Sequence, residues 1–194
     1  IAGTNTSLAI LPRGSGNGLA RHHRIPFEVD KALEVIVRNN RIAHDAVLIN
    51  DRMAVNVSGI GFDAHIAHLF GKDGTRGFYG YLKLVVTEFF NFKERLYTIT
   101  PGNGNTTPVT YPVFLFAIAN GSQFGNEAVF APRADTGDGK VDLALVKAIP
   151  FWKVPLFAMR VFTRHIEGSP YITHLKGESF LITCNEETPL HLDG

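Results

Sequence analysis

The sequence predicts an α+β protein in which a small α/β segment, residues 1–44, precedes a β-rich domain, residues 45–194. Apolar residues recur at helical spacing over 29–37, which is typical of an amphipathic helix. From Leu96 onward, short apolar runs alternate with clusters of Gly, Pro and Asn, and this pattern indicates strands joined by turns. The change of pattern places the expected boundary between residues 44 and 45.

The other predicted elements follow from the same patterns. Pro26 ends the first helix, because the residue before a proline is disfavoured in the helical conformation. Asn50-Asp51 between two β-like runs indicates a hairpin turn. The predicted strands are 8–11, 46–49, 53–57, 96–100, 109–119, 140–146, 171–175, 179–184 and 189–192, and the predicted helices are 19–24, 29–37, 62–70, 78–92 and 151–163.

Composition narrows the class of protein. Hydrophobic residues make up 45% of the chain and charged residues 19%, as in a globular protein with a core. A formal net charge of +1 argues against nucleic acid as a main partner. One cysteine, Cys184, excludes a disulfide framework and a cysteine metal cluster, and we interpret it as a small buried hydrophobic residue.

The sequence predicts neither membrane insertion nor secretion. It contains no run of about 18 apolar residues, so we expect no transmembrane helix. The chain begins at Ile1 rather than Met, and its first residues lack the charged segment of a signal peptide. We therefore expect a piece of a longer protein that resides in the reducing cytosol.

The first segment that could carry chemistry is the glycine-rich run 12–18, which follows an apolar stretch and precedes a predicted helix. Glycines let a ligand approach the backbone closely, and Ser15 adds a hydroxyl donor, so the run could hold a phosphate. The alternative is a tight turn in which Ser15 or Asn17 merely caps the helix. The run matches neither the dinucleotide fingerprint nor the P-loop pattern.

The second segment is 131–140, where Asp135 and Asp138 are three residues apart and glycines separate them from each other and from the next strand. Two carboxylates with nearby backbone oxygens suit a hard cation. The segment is too short and too poor in glycine to be the twelve-residue calcium loop. The alternative is a hairpin turn, because Asp138-Gly139 before an alternating strand is a strong turn signal.

The histidines and the last residues give weaker signals. His65 and His68 are three apart in a predicted helix, but no third ligand is indicated, so we do not predict a zinc site. We interpret the eight histidines as surface residues or hydrogen-bonded core residues. By its local pattern, Asp193-Gly194 at a strand end is a turn.

Five segments, in order along essentially the whole chain, carry the motifs of one family. Residues 11–21, LPRGSGNGLAR, resemble P-x-G-[ST]-[GT]-N-x-x-A-R, and Asp45 stands where the family has an Asp opening the next strand. NVSGIGFDA at 56–64 resembles the family's glycine-rich crossing into the second domain. Asn120-Gly121 with 131–132 and 138–143 resembles N-x(3)-G…A-P-x-A…D-G-x-[LF]-D-[LV]. HLDG at 191–194 resembles the start of a D-G-E element. The set resembles the lipid kinases of the diacylglycerol, sphingosine and ceramide kinase type, including bacterial relatives.

This resemblance implies a fold and a nucleotide site. The fold is the C-terminal remnant of an NAD kinase-like α/β nucleotide domain followed by a β-sandwich lipid-binding domain with added helices. The first motif implies that Gly14, Ser15, Gly16 and Asn17 bind ATP, with Ser15 in contact with it. Gly18 replaces an Asp of many bacterial diacylglycerol kinases, and the Gly-Ser-Gly-Asn version is closer to sphingosine kinases, so the lipid class stays open.

The resemblance also implies a magnesium ion at the Asp-Gly loop. Asp138 would supply its carboxylate, and Asp135 and Lys140 would supply backbone carbonyls. Asp45 would join an acidic, water-linked network around the metal. The same likeness allows the aromatic helix 78–92 and the helix 151–163 to wall the lipid cleft, although either helix could equally be an ordinary core element.

The reaction that the resemblance implies is ATP-dependent phosphorylation of a lipid hydroxyl, of diacylglycerol or sphingoid type, in phospholipid biosynthesis. The protein would be cytoplasmic and peripheral to the membrane, with a lipid substrate at the membrane surface and a homodimer as an allowed assembly. The family's G-G-D-G-T loop would precede Ile1, and its general-base Glu would follow Gly194, next to Asp193. We therefore expect the 194-residue piece to be inactive alone. The alternatives are a non-catalytic lipid-binding or regulatory module and an NAD kinase-like enzyme.

Overall fold

Two antiparallel sheets form the centre of the structure, and their facing side chains build the main core. The α+β class predicted from the sequence is therefore confirmed. The coordinates are a computed structural model. The structure describes residues 1–14, 16–70, 77–102, 107–125 and 127–194, without the side chains of 77–79, 81 and 82.

Most of the described elements are strands. Two described helices precede the first strand, two lie between the third and fourth strands, and one lies between the ninth and tenth. The strands are β1 (Val47–Ile49), β2 (Arg52–Ala54), β3 (Val57–Gly61), β4 (Arg95–Pro101), β5 (Val109–Val113), β6 (Leu115–Ala119), β7 (Gln123–Gly125), β8 (Ala128–Val129), β9 (Val141–Val146), β10 (Ile172–Gly177), β11 (Phe180–Cys184) and β12 (Leu190–His191). The helices are α1 (Gly18–His22), α2 (Val29–Val37), α3 (Phe62–Leu69), α4 (Gly77–Asn91) and α5 (Val154–Phe162), with 3-10 turns at Phe151–Lys153 and Ile166–Gly168.

The larger sheet has five strands in the order β10-β9-β6-β3-β12, and each neighbouring pair is antiparallel. All six residues of β9 are buried. The smaller sheet packs on one face of β9, while alanines of the preceding loop and α5 pack near the other. Burial on both faces explains why the sequence of β9 lacks the alternation of a half-exposed strand.

The smaller sheet has the order β11-β4-β5 and faces the larger one. In β4, Tyr97 and Ile99 are buried against the larger sheet, whereas Leu96 is exposed, as expected when side chains alternate along a strand. Tyr97 contacts Phe116 of β6 edge to face, with ring centroids 5.5 Å apart. These contacts define the inside of the sandwich.

The prediction of one strand over 109–119 is wrong. β5 ends at Val113 and β6 begins at Leu115, and the two strands belong to different sheets. Phe114 makes the crossing: its N–H donates to Val146 O at 2.7 Å, and its carbonyl accepts the Phe62 N–H at 2.8 Å. Both halves are apolar, so the sequence pattern could not reveal where the chain changes sheet.

The predicted buried strand at 8–11 is also wrong. These residues are irregular and mostly exposed. An apolar run becomes a strand only beside a partner that completes its backbone hydrogen bonds. No strand lies next to it in the part of the chain that the structure describes.

The hairpin predicted around Asn50-Asp51 is confirmed. β1 pairs with β2, and both turn residues have positive φ, 46° for Asn50 and 64° for Asp51. Two positive φ values are those of a type I′ turn, which matches the twist of the flanking strands.

The larger helices pack at one edge of the sandwich through aromatic side chains. Phe62 of α3 stacks on Phe114 with centroids 4.7 Å apart, and Phe89 of α4 contacts both rings. Predicted helices at 62–70 and 78–92 are thus confirmed within a residue or two, and so is the helix of 151–163, which begins as a 3-10 turn. Among the described residues, none of the helices combines the length and the apolar character needed to cross a bilayer.

Candidate functional site

A cleft of about 700 Å³ lies between the two sheets. Its volume falls within the roughly 300–1,000 Å³ that small-molecule sites usually have. Much of its wall is apolar and comes from both sheets: Ile60, Tyr97, Ile118, Leu143, Phe180, Ile182, Cys184 and Leu190.

The cleft also has a polar part of its wall, to which Asp45, Asn120, Gly139 and Lys140 contribute. Asp45 Oδ2 accepts the Gly139 N–H at 2.7 Å, and Asp45 O accepts a hydrogen bond from Asn120 Nδ2 at 2.8 Å. Asn120 is 1% exposed, and its Oδ1 has no hydrogen-bond partner among the described residues. Asn120 therefore has a buried amide oxygen without a partner among the described residues, and its amide nitrogen is bonded to the backbone of Asp45.

The loop 135–140 is folded by its own aspartates. Asp135 Oδ1 accepts the Gly137 N–H and Asp138 Oδ1 accepts the Lys140 N–H, both at 3.0 Å. Gly139 has a φ of 69°, a conformation that glycine adopts at little cost. The structure thus brings Asp45 onto the loop that contains the other predicted metal residues. The alternative interpretation, a hairpin turn, is wrong, because β9 pairs with β6 and β10 and not with the strand before the loop.

A lysine of β10 joins this loop to the larger sheet. Lys176 Nζ lies 2.7 Å from Asp138 Oδ2 and 3.1 Å from Asp142 Oδ2. The hydrogen bond from Lys176 holds the pKa of Asp138 below its usual value, whereas burial raises the pKa of Asp142. Asp138 is therefore ionised but already paired.

The donors around the loop are of the type that magnesium prefers, namely carboxylate and carbonyl oxygens. One oxygen each of Asp45 and Asp135 makes no hydrogen bond within the described part of the chain. In the same part of the chain, no three His, Cys, Asp or Glu side chains converge closely enough to hold a metal ion by themselves. A magnesium ion here would need backbone carbonyls and water to complete its ligands, as is usual for this ion.

The glycine-rich turn of the first motif is held together by Asn17. Its side chain accepts the Gly14 N–H at 2.9 Å and donates to Gly14 O at 2.6 Å, while its backbone has a φ of 50°. Asn17 stands at the N-cap position of α1 without a side-chain capping bond, so the capping role considered for it is wrong. Ser15, the other candidate cap and predicted ATP contact, lies outside the described residues.

Two glycines of this turn fit tightly against the β7–β8 hairpin. The Cα atom of Gly16 lies next to Gly125, and a Cβ at Gly18 would come within 2.7 Å of Gln123 O. Arg21 Nε also donates to Gly16 O at 3.2 Å, and its guanidinium pairs with Glu127 at 2.7 Å. The turn is thus fixed in place by residues more than 100 positions away.

Three histidines, which the sequence did not single out as a group, meet behind this turn. The ring centroids of His22 and His23 are 4.8 Å apart, and those of His23 and His44 are 5.1 Å apart. Burial, followed by repulsion from the two neighbouring rings, lowers the pKa of His23 to about 4. Burial is also the main cause that lowers the pKa of His22. His22 and His23 are therefore neutral at pH 7.

Asp193 has a structural contact that its local sequence did not indicate. Its carboxylate accepts the backbone N–H groups of Val55 at 2.9 Å and Asn56 at 2.8 Å. Asn56 in turn donates through Nδ2 to Gln123 O at 3.2 Å. Asp193 thereby fixes the end of the HLDG segment beside the start of β3.

A buried pair, Asp63 and His191, lies next to Asp193. His191 Nε2 donates to Asp63 Oδ2 at 2.8 Å, because His191 Nδ1 accepts the Gly194 N–H at 3.3 Å and so carries no proton. Burial raises the pKa of Asp63. A Cβ at Gly59 would overlap both Asp63 Oδ2 and His191 Nε2, which explains the glycine there.

The sequence analysis missed this pair, because its members are 128 positions apart and each has an ordinary local context. His65, which was considered as a zinc ligand, instead bonds Glu88 Oε2 at 2.7 Å. The interpretation of the histidines as hydrogen-bonded residues therefore holds for His65 and His191.

Known proteins resemble the chain in both of its parts. The diacylglycerol kinase catalytic domain matches residues 1–49, and the YegS C-terminal NAD kinase beta sandwich-like domain matches residues 56–194. A Chromohalobacter salexigens protein named probable lipid kinase YegS-like is 28% identical over 98% of this chain and 61% of its own length. A Shewanella frigidimarina protein of the same name is 24% identical over 96% of this chain and 60% of its own length.

A solved structure gives the same result for the fold. A diacylglycerol kinase from Bacillus anthracis superposes with a TM-score of 0.71 at 21% identity, covering 97% of this chain and 60% of the other. The chain spans about three fifths of the length of the curated relatives it matches. Because the second domain model covers residues 56–194, more than half of the chain, this chain belongs to the family of diacylglycerol kinase- and YegS-type lipid kinases.

Proposed function

We propose that the protein containing this chain transfers the γ-phosphoryl group of ATP to the hydroxyl of a lipid of diacylglycerol or sphingoid type, with magnesium as the metal. The observation that carries the proposal is the cleft between the sheets, which has both an apolar wall and the Asp45–Asn120 polar group. A site for one amphipathic molecule needs both kinds of wall.

The apolar tail of the substrate would lie between the sheets. Ile118 and Leu143 of the larger sheet face Phe180 and Ile182 of the smaller one across the cleft. Burying a chain of CH₂ groups there contributes about 0.8 kcal/mol for each group removed from water. This contribution favours long-chain over short-chain lipids.

The polar head of the lipid would lie at the Asp45–Asn120 part of the wall. The unused Asn120 Oδ1 can accept a hydrogen bond from a lipid hydroxyl, which is the group to be phosphorylated. Asp45 and the loop 135–140 would hold the magnesium ion through the oxygens of Asp135, Asp138 and Lys140. When bound, magnesium neutralises charge on the phosphates during transfer.

The nucleotide would approach the turn made by Gly14, Ser15, Gly16 and Asn17. Asn17 holds both polar groups of Gly14, and Gly16 and Gly18 lie against the β7–β8 hairpin, so the turn would present a backbone of fixed shape to the nucleotide. The division into a nucleotide segment at 1–44 and a lipid domain at 45–194 is part of the same proposal, as is a location at a membrane surface where such lipids reside.

Cys184 allows a direct test of the lipid position, because it is the one cysteine of the 194 residues and lines the cleft. Its alkylation by N-ethylmaleimide, measured by peptide mass spectrometry in the full-length protein, should slow about tenfold or more when long-chain diacylglycerol or sphingosine in detergent is added, since a lipid in the cleft would cover the half-buried thiol. Detergent alone and ATP alone are the controls and should leave the rate unchanged. An equal rate with and without lipid would place the lipid elsewhere.

The two alternatives give different results in further measurements. A non-catalytic binding module would show protection of Cys184 without ATP-dependent phosphorylation of the lipid. An NAD kinase-like enzyme would phosphorylate NAD, and lipid would not protect the thiol. The apolar wall of the cleft favours the lipid kinase over the second of these.

A further inference from the structure

We propose that the face formed by α5, its preceding 3-10 turn and the exposed end of α4 binds the surface of an anionic lipid bilayer. This inference extends the proposed function, whose lipid substrate resides in a membrane, but its evidence is a separate surface. We call this surface the aromatic face and define it by its exposed apolar residues: Phe90, Phe151, Trp152, Leu156, Met159 and Phe162.

Helix α5 is apolar on two opposite sides, but only one side is buried. Phe157 and Val161 pack against Val146 and Ile166 in the core. Trp152, Leu156 and Met159, at positions i, i+4 and i+7, lie on the other side of the helix and are exposed. A helix with apolar residues all round is normally buried, so the exposed side is expected to have a partner.

The aromatic face continues from α5 onto α4. Phe90 is 63% exposed, and its ring lies 5.0 Å from that of Phe151. Trp152 is 78% exposed. Large aromatic residues that stand in solvent beside one another are costly in water, but they are the side chains that proteins place at the membrane–water interface.

The segment that carries α5 is basic, although one carboxylate, that of Glu94, lies beside it and accepts the Ala148 N–H at 3.0 Å. From residue 143 to residue 166 the sequence contains no Asp or Glu, but it has Lys147, Lys153, Arg160 and Arg164. None of these four forms an ion pair within the described ranges. Lys147 and Lys153 both lie over the ring of Tyr171, at 5.7 and 5.6 Å, which keeps their charges together beside Trp152.

This combination favours a bilayer over a protein partner. An aromatic and aliphatic strip bordered by lysine and arginine has the chemistry of interfacial helices, which insert apolar side chains and attract anionic headgroups. Each basic residue near an anionic surface contributes about 1 kcal/mol, roughly a fivefold change in binding, and the effect weakens with salt.

The test is the binding of the full-length protein to vesicles without ATP. We expect stronger sedimentation with phosphatidylcholine/phosphatidylglycerol vesicles than with phosphatidylcholine alone, and a loss of binding at high salt. Trp152→Ser should lower the partition coefficient about tenfold, and Lys147→Gln with Lys153→Gln by about tenfold or more on anionic vesicles. The matched controls are Leu96→Ser, an equally exposed apolar residue on β4, and Arg52→Glu, an exposed cation on β2, and both should bind as wild type does.

Trp152 also reports its own surroundings, since it is the single tryptophan of these 194 residues. The difference in emission between wild type and Trp152→Phe should shift to the blue on addition of anionic vesicles and be quenched by brominated acyl chains. Emission that is already blue-shifted before vesicles are added would show that another segment or a second copy covers the face, and this result would overturn the inference. So would equal vesicle binding of the face variants and their controls.

The inference and the proposed function can fail separately. Phosphorylation of lipid dispersed in detergent, together with no vesicle binding, would overturn the docking surface alone. Vesicle binding that depends on Trp152, without phosphorylation of any lipid, would overturn the proposed reaction alone. Circular dichroism checks that each variant folds, and the lysine variants, which alter exposed side chains, remain usable if Trp152→Ser does not fold.

Discussion

Single residues carry much of the organisation around the candidate site. Asp193 holds two backbone N–H groups at the start of β3, Asn17 holds both polar groups of Gly14, and Asn120 joins Asp45 to the end of β2 through its bonds to Asp45 O and Val55 O. Each of these side chains bonds backbone groups that have no backbone partner among the described residues. A backbone group left unpaired costs about 1–3 kcal/mol when it is buried. The positions of the motifs therefore reflect structural demands as well as chemistry.

His23 gives a prediction at this scale. Its pKa is lowered to about 4 in the folded state by burial and by His22 and His44, while the unfolded chain titrates near 6.5. Above pH 6.5 neither state is protonated and His23 has no effect. As the pH falls from 6.5 to 4, only the unfolded state binds the proton, so the free energy of unfolding should fall, by about 1–2 kcal/mol given that water partly screens the site.

Thermal unfolding measured from pH 7 to pH 4 checks this prediction. In the variant His23→Gln, the free energy of unfolding should fall less between pH 7 and pH 4 than in the wild type. In His165→Gln, which alters an exposed histidine, it should fall as it does in the wild type. A pH dependence that is identical in wild type and His23→Gln would contradict the role assigned to the buried cluster.

At the scale of elements, the loop 135–140 and β10 act together. Lys176 of β10 neutralises Asp138 at 2.7 Å, so the loop is stabilised by an ion pair in which both side chains remain partly exposed. Such pairs contribute about 0.2–1 kcal/mol, so removing Asp138 should lower the free energy of unfolding only slightly. Removing Lys176 should lower it more, because the buried Asp142, 3.1 Å away, then loses its partner too.

The two partners should differ in magnesium binding if Asp138 is a ligand. In the full-length protein, Asp138→Asn should weaken Mg²⁺ binding, because a neutral amide replaces the carboxylate, whereas Lys176→Gln frees that carboxylate and should keep or strengthen it. Isothermal titration calorimetry with Mg²⁺, in the presence of a non-hydrolysable ATP analogue, measures both. An equal change in the two variants would mean that Asp138 acts only through its ion pair.

Elements also show what could be predicted from the sequence. Helices with clear periodicity, such as α2, and turns with their own chemistry, such as Asn50-Asp51, depend on local residues and were predicted correctly. The strand β3 was not predicted as a strand of its own, because its sequence is rich in glycine. Gly59 is required by the close approach of Asp63 and His191 rather than by the strand. Local patterns do not contain such distant contacts.

Part of the candidate site, but not all of it, could be predicted from the sequence. The family motifs indicated Asp45 and the loop 135–140, and the structure brings them together through the bond between Asp45 Oδ2 and the Gly139 N–H. A lipid cleft walled by the helices 78–92 and 151–163 was considered, but none of the described residues of these helices lines the cleft between the sheets. Its wall is assembled from strands that are far apart in the chain, so local patterns could not place it. The histidine cluster at His22, His23 and His44 was missed for the same reason.

At the scale of the whole molecule, the account depends on one arrangement. The two sheets leave a cleft whose apolar interior and polar wall match an amphipathic substrate, and the aromatic face is a separate surface suited to the membrane that supplies it. The sandwich thus has two distinct apolar regions, and under our two proposals the one between the sheets would hold the lipid and the one outside would contact the bilayer.

The most direct test of the central claim compares two substitutions on β11 in an assay of ATP-dependent lipid phosphorylation by the full-length protein. Cys184 lines the cleft, while Thr183 lies on the outer side of the same strand and is exposed. Cys184→Phe should raise the Michaelis constant for the lipid about tenfold or more without changing that for ATP, because the ring occupies space needed by the tail, and Thr183→Phe should leave both near wild type. A wild-type protein that phosphorylates no hydroxyl lipid, or a folded Cys184→Phe variant with an unchanged Michaelis constant for the lipid, would contradict the account.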